Sequence, residues 1–160
     1  MNIYGYCRIS TAKQSMDRQI RNIKAEYQTA HIVQEAYTGT SIFRPEWLKL
    51  YRVLKAGDTV VFDSVSRMSR NAEEGFALYE DLYHKGIRMV FLKEHHIDTE
   101  TYKKALSGSI AMTGTNVDFI LKGINEYLMA LAKEQIKLAF EQSEKEVADL
   151  HQRTREGLLT

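Results

Sequence analysis

Apolar and polar positions alternate in NIYGYC near the N-terminus, and the stretch is rich in Tyr and Ile, which predicts a strand. Helical spacing follows at once. Met16, Ile20, Ile23 and Tyr27 fall on one face, and Ser15 is placed to cap the helix. AHIVQEAY predicts a second short strand, and TGTSIF, from Thr38 to Phe43, a mobile loop. Pro45, the only proline, suits the first turn of a helix over PEWLKLYRVLK. AGD turns the chain into TVVFDSV, a β-branched run of the kind that fills the buried middle of a sheet. SRMSRNAEEGFALYEDLYHKG reads as one helix closed by Gly86, and IRMVFLKE as a fourth strand. Strands alternating with helices predict an α/β domain with a mostly parallel central sheet flanked by helices.

The last third departs from this alternation. From Thr101 to Thr115 the periodicity is weak, with scattered Gly and Ser. A long helical pattern then runs from about 117 to 157, with neither glycine nor proline between Gly123 and Gly157. That stretch would span roughly 50 Å at 1.5 Å per residue, more than a small domain is wide, so the helix is expected to project. Its first half is expected to pack on the chain's own sheet. Ile136, Phe140, Ser143, Val147 and Leu150 step by four, three, four and three, a heptad-like stripe weakened only at Ser143. Ile136, Phe140, Val147 and Leu150 are therefore expected to face a partner chain. The polar stretch EQSEKEVADLHQRTREGLLT is expected to serve a partner chain or DNA.

Composition narrows the picture little. A length of 160 residues suits one domain with one core, and 44% hydrophobic residues is ordinary for a globular protein. No apolar run is long enough to span a bilayer, and the N-terminus enters a strand pattern without a basic leader. The single cysteine, Cys7, excludes an internal disulfide framework and fits a reducing cytoplasm. Net charge is only +1, which alone favours a neutral enzyme for small molecules. A nucleic-acid reading has to rest on local arginines.

Those arginines are well placed. Tyr6, Arg8 and, if the backbone stays extended, Ser10 share one strand face at the carboxyl end of the first strand, where open α/β sheets build their sites. Taken alone, Ser10 is as readily a loop residue. SVSRMSRN follows the third strand, and Arg67 and Arg70 are three apart, on one face of a predicted helix start. Two guanidiniums beside free helix amides make a phosphate cradle, with Ser66 and Ser69 as caps. Arg44 follows the loop and adds a third source of charge. Arg8, Arg44, Arg67 and Arg70 around Ser10 suggest phosphoryl transfer to a hydroxyl nucleophile, with guanidiniums balancing the developing charge. No cofactor or metal site is predicted. There is neither a Walker A motif nor GxGxxG, and the adjacent His95 and His96 have poor ligand spacing.

YGYCRIST, Arg44 after its loop, SVSRMSRN and QRTREGL resemble, in order and over nearly the whole chain, the catalytic domain of the serine recombinases, the resolvase/invertase family. The resemblance implies that Ser10 attacks a phosphodiester of double-stranded DNA and becomes joined to a 5′ phosphate, releasing a 3′ hydroxyl. Arg8, Arg67 and Arg70 would hold the phosphate and Arg44 would join them. Neither ATP nor metal would be needed. Tyr6, Arg153 and Arg155 would touch DNA. The long helix would pair subunits into a free homodimer and a synaptic tetramer whose halves rotate to exchange strands. A separate DNA-binding domain is expected to be absent from residues 1–160. Two departures stand out. Ser66 occupies a position where many small resolvases carry aspartate, leaving Asp63 as a neighbouring carboxylate. The segment from about Thr101 to Lys133 is longer than in the small resolvases and closer to the larger members, and after it Val147 follows Glu146 where the family often has arginine. A non-cleaving dimerisation or regulatory module, and a small-molecule phosphoryl-transfer enzyme, remain competing readings.

Overall fold

In the computed structural model the backbone is described for residues 1–9, 13–36, 44–107 and 111–159; the side chains described are those of these residues other than 13–15, 105–107 and 146–159. Among them run β1 (Ile3–Ile9), α1 (Lys13–Glu26), β2 (His31–Ala36), α2 (Pro45–Val53) and β3 (Thr59–Phe62). Then come α3 (Val65–Met68), α4 (Ala72–His84), β4 (Arg88–Phe91), a 3-10 turn at His95–Ile97, α5 (Thr99–Ser107) and α6 (Asp118–Leu159). The four strands are parallel, in the order β2-β1-β3-β4. The α/β architecture read from the sequence is therefore the one observed. The first connection leaves β1 in one direction, and the chain returns on the other side of β1. The carboxyl ends of β1 and β3 thus flank a topological switch point, where diverging connections open a crevice.

Side-chain alternation along β1 splits the core in two. Cys7 and Val61 face α1, where Met16 and Ile23 are buried and Ile20 and Tyr27 pack beside them, so all four stripe positions of α1 serve the core. Tyr6, Val60 and Phe62 face the other way, into a larger cluster with Trp47, Tyr79, Phe91, Ile136 and Phe140. All four residues of β3 are buried, as its β-branched run demands. Pro45 occupies the first turn of α2. Gly86 takes a positive φ of 78° just past α4, the left-handed conformation that a side chain resists.

Two expectations fail, and a segment without clear periodicity proves partly helical. SRMSRNAEEGFALYEDLYHKG is not one helix, because Ser69 and Asn71 are extended (φ −158°, ψ 146° and φ −101°, ψ 123°) and separate α3 from α4. Ser69 Oγ accepts from the Asn71 amide and donates to its carbonyl, and Asn71 Oδ1 accepts from the Glu74 amide. Local side chains thus offer the backbone an alternative to the helix. The weak pattern after Thr101 lies partly on α5, whose first residue, Thr99, exchanges hydrogen bonds with the Met89 backbone. The long helix packs on the chain's own core at its middle rather than along the whole of its first half. Its N-terminal half is exposed, with Phe119, Ile120 and Tyr127 at 84%, 66% and 64%. Ile136, Ala139 and Phe140 are the buried part, so Ile136 and Phe140 belong to the chain's own core and are closed to a partner. Val147 and Leu150 have side chains outside the described ones. Among the described residues no helix is long and apolar enough to cross a membrane.

The α4–α6 crossing depends on Gly75. A Cβ there would lie 2.5 Å and 2.6 Å from two carbons of the Phe140 ring. Helix propensity favours Ala by about 1 kcal/mol, but overpacking costs about 1–3 kcal/mol. Gly75→Ala is expected to lose up to about 2 kcal/mol of stability in urea unfolding, the difference of those terms. In a Phe140→Ala background the same change is expected to be neutral or stabilising, because the ring it meets is gone.

Candidate active site

Arg8 sits one residue from the end of β1, opposite Glu35 on β2. It is 9% exposed, and its guanidinium donates to the Ser66 carbonyl. Its backbone is fixed too. Gln19 on α1 accepts from the Arg8 amide and donates to the Arg8 carbonyl, both at 3.0 Å. Burial pushes the guanidinium down to about 10; Arg44, Arg70 and Arg67 push the same way, against an opposite pull from Tyr6. A guanidinium whose pKa falls on folding opposes folding while charged, and that opposition lifts only as pH rises through about 10. The site therefore gathers positive charge at a cost that an anion would offset.

Arg67 donates to the Arg8 carbonyl at 3.1 Å, and Arg44 to the Met68 carbonyl at 2.6 Å, while lying 6.0 Å from the Trp47 ring. Burial lowers the pKa of Arg67, opposed by Asp63 and reinforced by Arg70. Arg70 stands exposed in the bend between α3 and α4. All four sequence-predicted arginines thus meet at the β1–β3 switch point. The reason differs from the one expected. Arg67 and Arg70 do not share a helix face, since α3 ends at Met68. Nor is the start of α3 an open anion cradle, because the Val65 amide donates to Glu94 Oε2. The arginines are instead held by carbonyls. A four-residue helix leaves its last carbonyls without intrahelical partners, and its carboxyl end carries partial negative charge. The Ser66 and Met68 carbonyls take Arg8 and Arg44 on those terms.

The other predicted residues divide. Ser10 and the loop from Thr38 to Phe43 lie outside the described residues, as do the side chains of Arg153 and Arg155. Tyr6 is fully buried, and its hydroxyl donates to Glu35 Oε1 at 3.3 Å, so it is a core residue that DNA cannot reach. Ser66 is not a helix cap, and Ser69 closes the C-terminal end of α3, its amide donating to the Val65 carbonyl at 3.1 Å, rather than capping a helix start. Ser66 Oγ lies 2.7 Å from Ser64 Oγ, and Asn71 caps α4. Cys7 is buried in its strand, and burial raises its thiol to about 12. His95 pairs with Asp98 at 2.7 Å in the 3-10 turn. Among the described residues no group of three or more His, Cys, Asp or Glu could hold a metal ion.

Sequence reasoning missed two supports. Gln19 reads as a surface helix residue, yet it is 1% exposed and latched to the Arg8 backbone. Glu35 is 2% exposed, and its carboxylate accepts the amides of Glu46 and Trp47, each at 3.2 Å. It caps the start of α2 from a different strand and so fixes Arg44, the residue before that helix. Only the charge of Glu35 within a short strand signalled it. Asp63, noted as a neighbouring carboxylate, is buried, accepts from Asn22 at 3.0 Å and pairs with Lys93 at 3.4 Å.

Residues 3–146 match the family described as the resolvase N-terminal domain. The sequence is 27% identical to the transposon Tn21 resolvase of Escherichia coli over 159 residues, 96% of this chain and 83% of that protein. It is 32% identical to a resolvase of Clostridium perfringens over 99 residues, 61% of this chain and 52% of that protein. In fold it is similar to a resolvase family site-specific recombinase from Streptococcus pneumoniae, with a TM-score of 0.50 at 19% identity over 99% of this chain and 96% of that one.

Replacing the Glu35 carboxylate removes the acceptor for two helix amides and the Tyr6 hydroxyl. Glu35→Ala is expected to lower unfolding free energy by about 2 kcal/mol in a denaturant titration, in the range for buried donors left unsatisfied. An unchanged midpoint would show that water serves those amides equally well.

Proposed function

This chain belongs to the resolvase N-terminal domain family, and from that premise we propose that it is the catalytic domain of a site-specific DNA recombinase. The carrying observation is the meeting of Arg8, Arg44, Arg67 and Arg70 at one strand end, with a buried Arg8 whose charge is disfavoured in the fold. Such a site has high affinity for a compact anion and a fixed geometry for its oxygens.

The chemistry follows from that charge. Ser10 lies two residues beyond Arg8 in sequence, and its hydroxyl oxygen attacks a DNA phosphorus. The new Ser O–P bond forms as the P–O3′ bond breaks, the serine proton leaves to solvent, and the 3′ oxygen departs as a hydroxyl after taking a proton. The product is a 5′-phosphoserine. The guanidiniums stabilise the charge on the transferring phosphoryl oxygens. Rejoining is the reverse step with a new 3′ hydroxyl. One phosphodiester is exchanged for another of similar energy, so the cycle needs no nucleotide hydrolysis.

Assembly rests on the exposed half of α6. Ile120, Ile124, Tyr127, Leu128 and Leu131 recur at helical spacing and are exposed or largely so. A second copy covers this face in the proposed free homodimer, and two homodimers form the synaptic tetramer. The contact is thereby moved from the buried Ile136 and Phe140 at the middle of the helix to its N-terminal part.

Two experiments bear on this reading. With the chain carried on a DNA-binding module of known site and a nicked paired-site substrate, wild type is expected to trap a covalent protein–DNA adduct and Ser10→Ala none. Site binding without an adduct in wild type would favour the non-cleaving regulatory module. For assembly, Ile120→Asp is expected to convert dimer to monomer in sedimentation while leaving far-UV circular dichroism intact. A dimer that survives the change would place the contact elsewhere.

A further inference from the structure

In a continuous helix through residues 65–84 the Ala72 amide would donate to the Met68 carbonyl, four residues back. It does not. The Ala72 amide donates to Glu144 Oε2 of α6 at 3.0 Å, and the Met68 carbonyl accepts Arg44 at 2.6 Å. The two bonds depend on each other, since the carbonyl is offered to Arg44 where the amide is occupied elsewhere. Glu144 stands one turn beyond Phe140 on α6, and Phe140 seats against Gly75 in the first turn of α4. The long helix therefore holds the start of α4 at two points on one face, through packing at Gly75 and through a carboxylate at Ala72. Between α3 and that start lies the bend that carries Arg70, whose charge acts on Arg8 and Arg67.

We propose that Glu144 is a positioning residue for the arginine cluster: by taking the Ala72 amide it keeps α3 and α4 apart, frees the Met68 carbonyl for Arg44 and fixes the bend bearing Arg70. Without it, the Ala72 amide competes for the Met68 carbonyl, and the gap between α3 and α4 can close by helix growth. An acidic side chain at a helix start also complements the macrodipole, which is why a glutamate serves there. The proposal rests on the recombinase reading, and it concerns geometry, since Glu144 itself touches no reacting atom.

The test uses the same nicked substrate, with adduct formation followed at saturating protein so that binding and cleavage separate. Wild type must form the adduct; if it does not, the recombinase reading fails and Glu144 is not at issue. Given a wild-type adduct, Glu144→Ala is expected to slow cleavage about tenfold or more, as small displacements of catalytic groups do, with DNA affinity unchanged. Glu144→Gln keeps an amide-accepting oxygen and is expected to restore most of the rate. Hydrogen exchange at Ala72 is expected to rise in the Ala variant and not in the Gln variant. Wild-type cleavage by Glu144→Ala would overturn the proposal. So would a loss in Glu144→Gln equal to that in Glu144→Ala, or a loss fully explained by the unfolded fraction measured in thermal melts.

Discussion

Like charges gathered at one strand end repel, and the architecture of this chain is organised around holding them there. Four guanidiniums converge at the switch point between β1 and β3, and one of them, Arg8, is nearly buried. Carboxylates contribute around the edge, with Asp63 acting on Arg67. Backbone carbonyls hold Arg8, Arg44 and Arg67 as well: Ser66, Met68 and Arg8 each offer one. A carbonyl holds a guanidinium without neutralising it. The positive potential survives for an anionic substrate, which a full set of salt bridges would have quenched.

The break between α3 and α4 is the structural condition for that arrangement. A continuous helix would have consumed the Met68 carbonyl internally, along with the Ser66 carbonyl. A four-residue helix leaves both available, and the extended Ser69 and Asn71 keep it short. The supports come from well-separated parts of the sequence. Gln19 on α1 fixes the Arg8 backbone, Glu35 on β2 fixes the start of α2 behind Arg44, and Glu144 on α6 takes the amide that α4 would otherwise direct inward. The site is thus assembled from distant segments, with α1, β2 and α6 each contributing one polar side chain.

The long helix divides its labour along its length. Its middle, at Ile136, Ala139 and Phe140, completes the core. Its N-terminal part presents apolar residues to solvent, which is costly for a lone chain and sensible for one with a partner. The segment bearing Glu144 lies beside the arginine cluster. In the proposed recombinase the same helix therefore carries both the assembly face and a support for the arginine cluster.

The alternation of strands and helices, the buried β3, the core face of α1 and the gathering of the four arginines were legible in the sequence, while Ser10 lies outside the described residues. Each is written in local periodicity or in spacing next to a strand end, where the backbone alone sets which side a residue faces. What tertiary structure decided has a common cause. Heptad spacing marks Ile136 and Phe140 as a seam but does not say whether the facing surface belongs to the same chain, and here α4 supplies it. Helix propensity across residues 65–84 gives no warning of a break made by Ser69 and Asn71 together with a carboxylate more than seventy residues away. Tyr6 alternates onto the same face as Arg8, yet Trp47 and Phe62 cover it, as only the packed fold determines. Local sequence sets the direction in which a side chain leaves the backbone. Whether it then meets water, a carbonyl or another ring depends on what distant segments bring to that place.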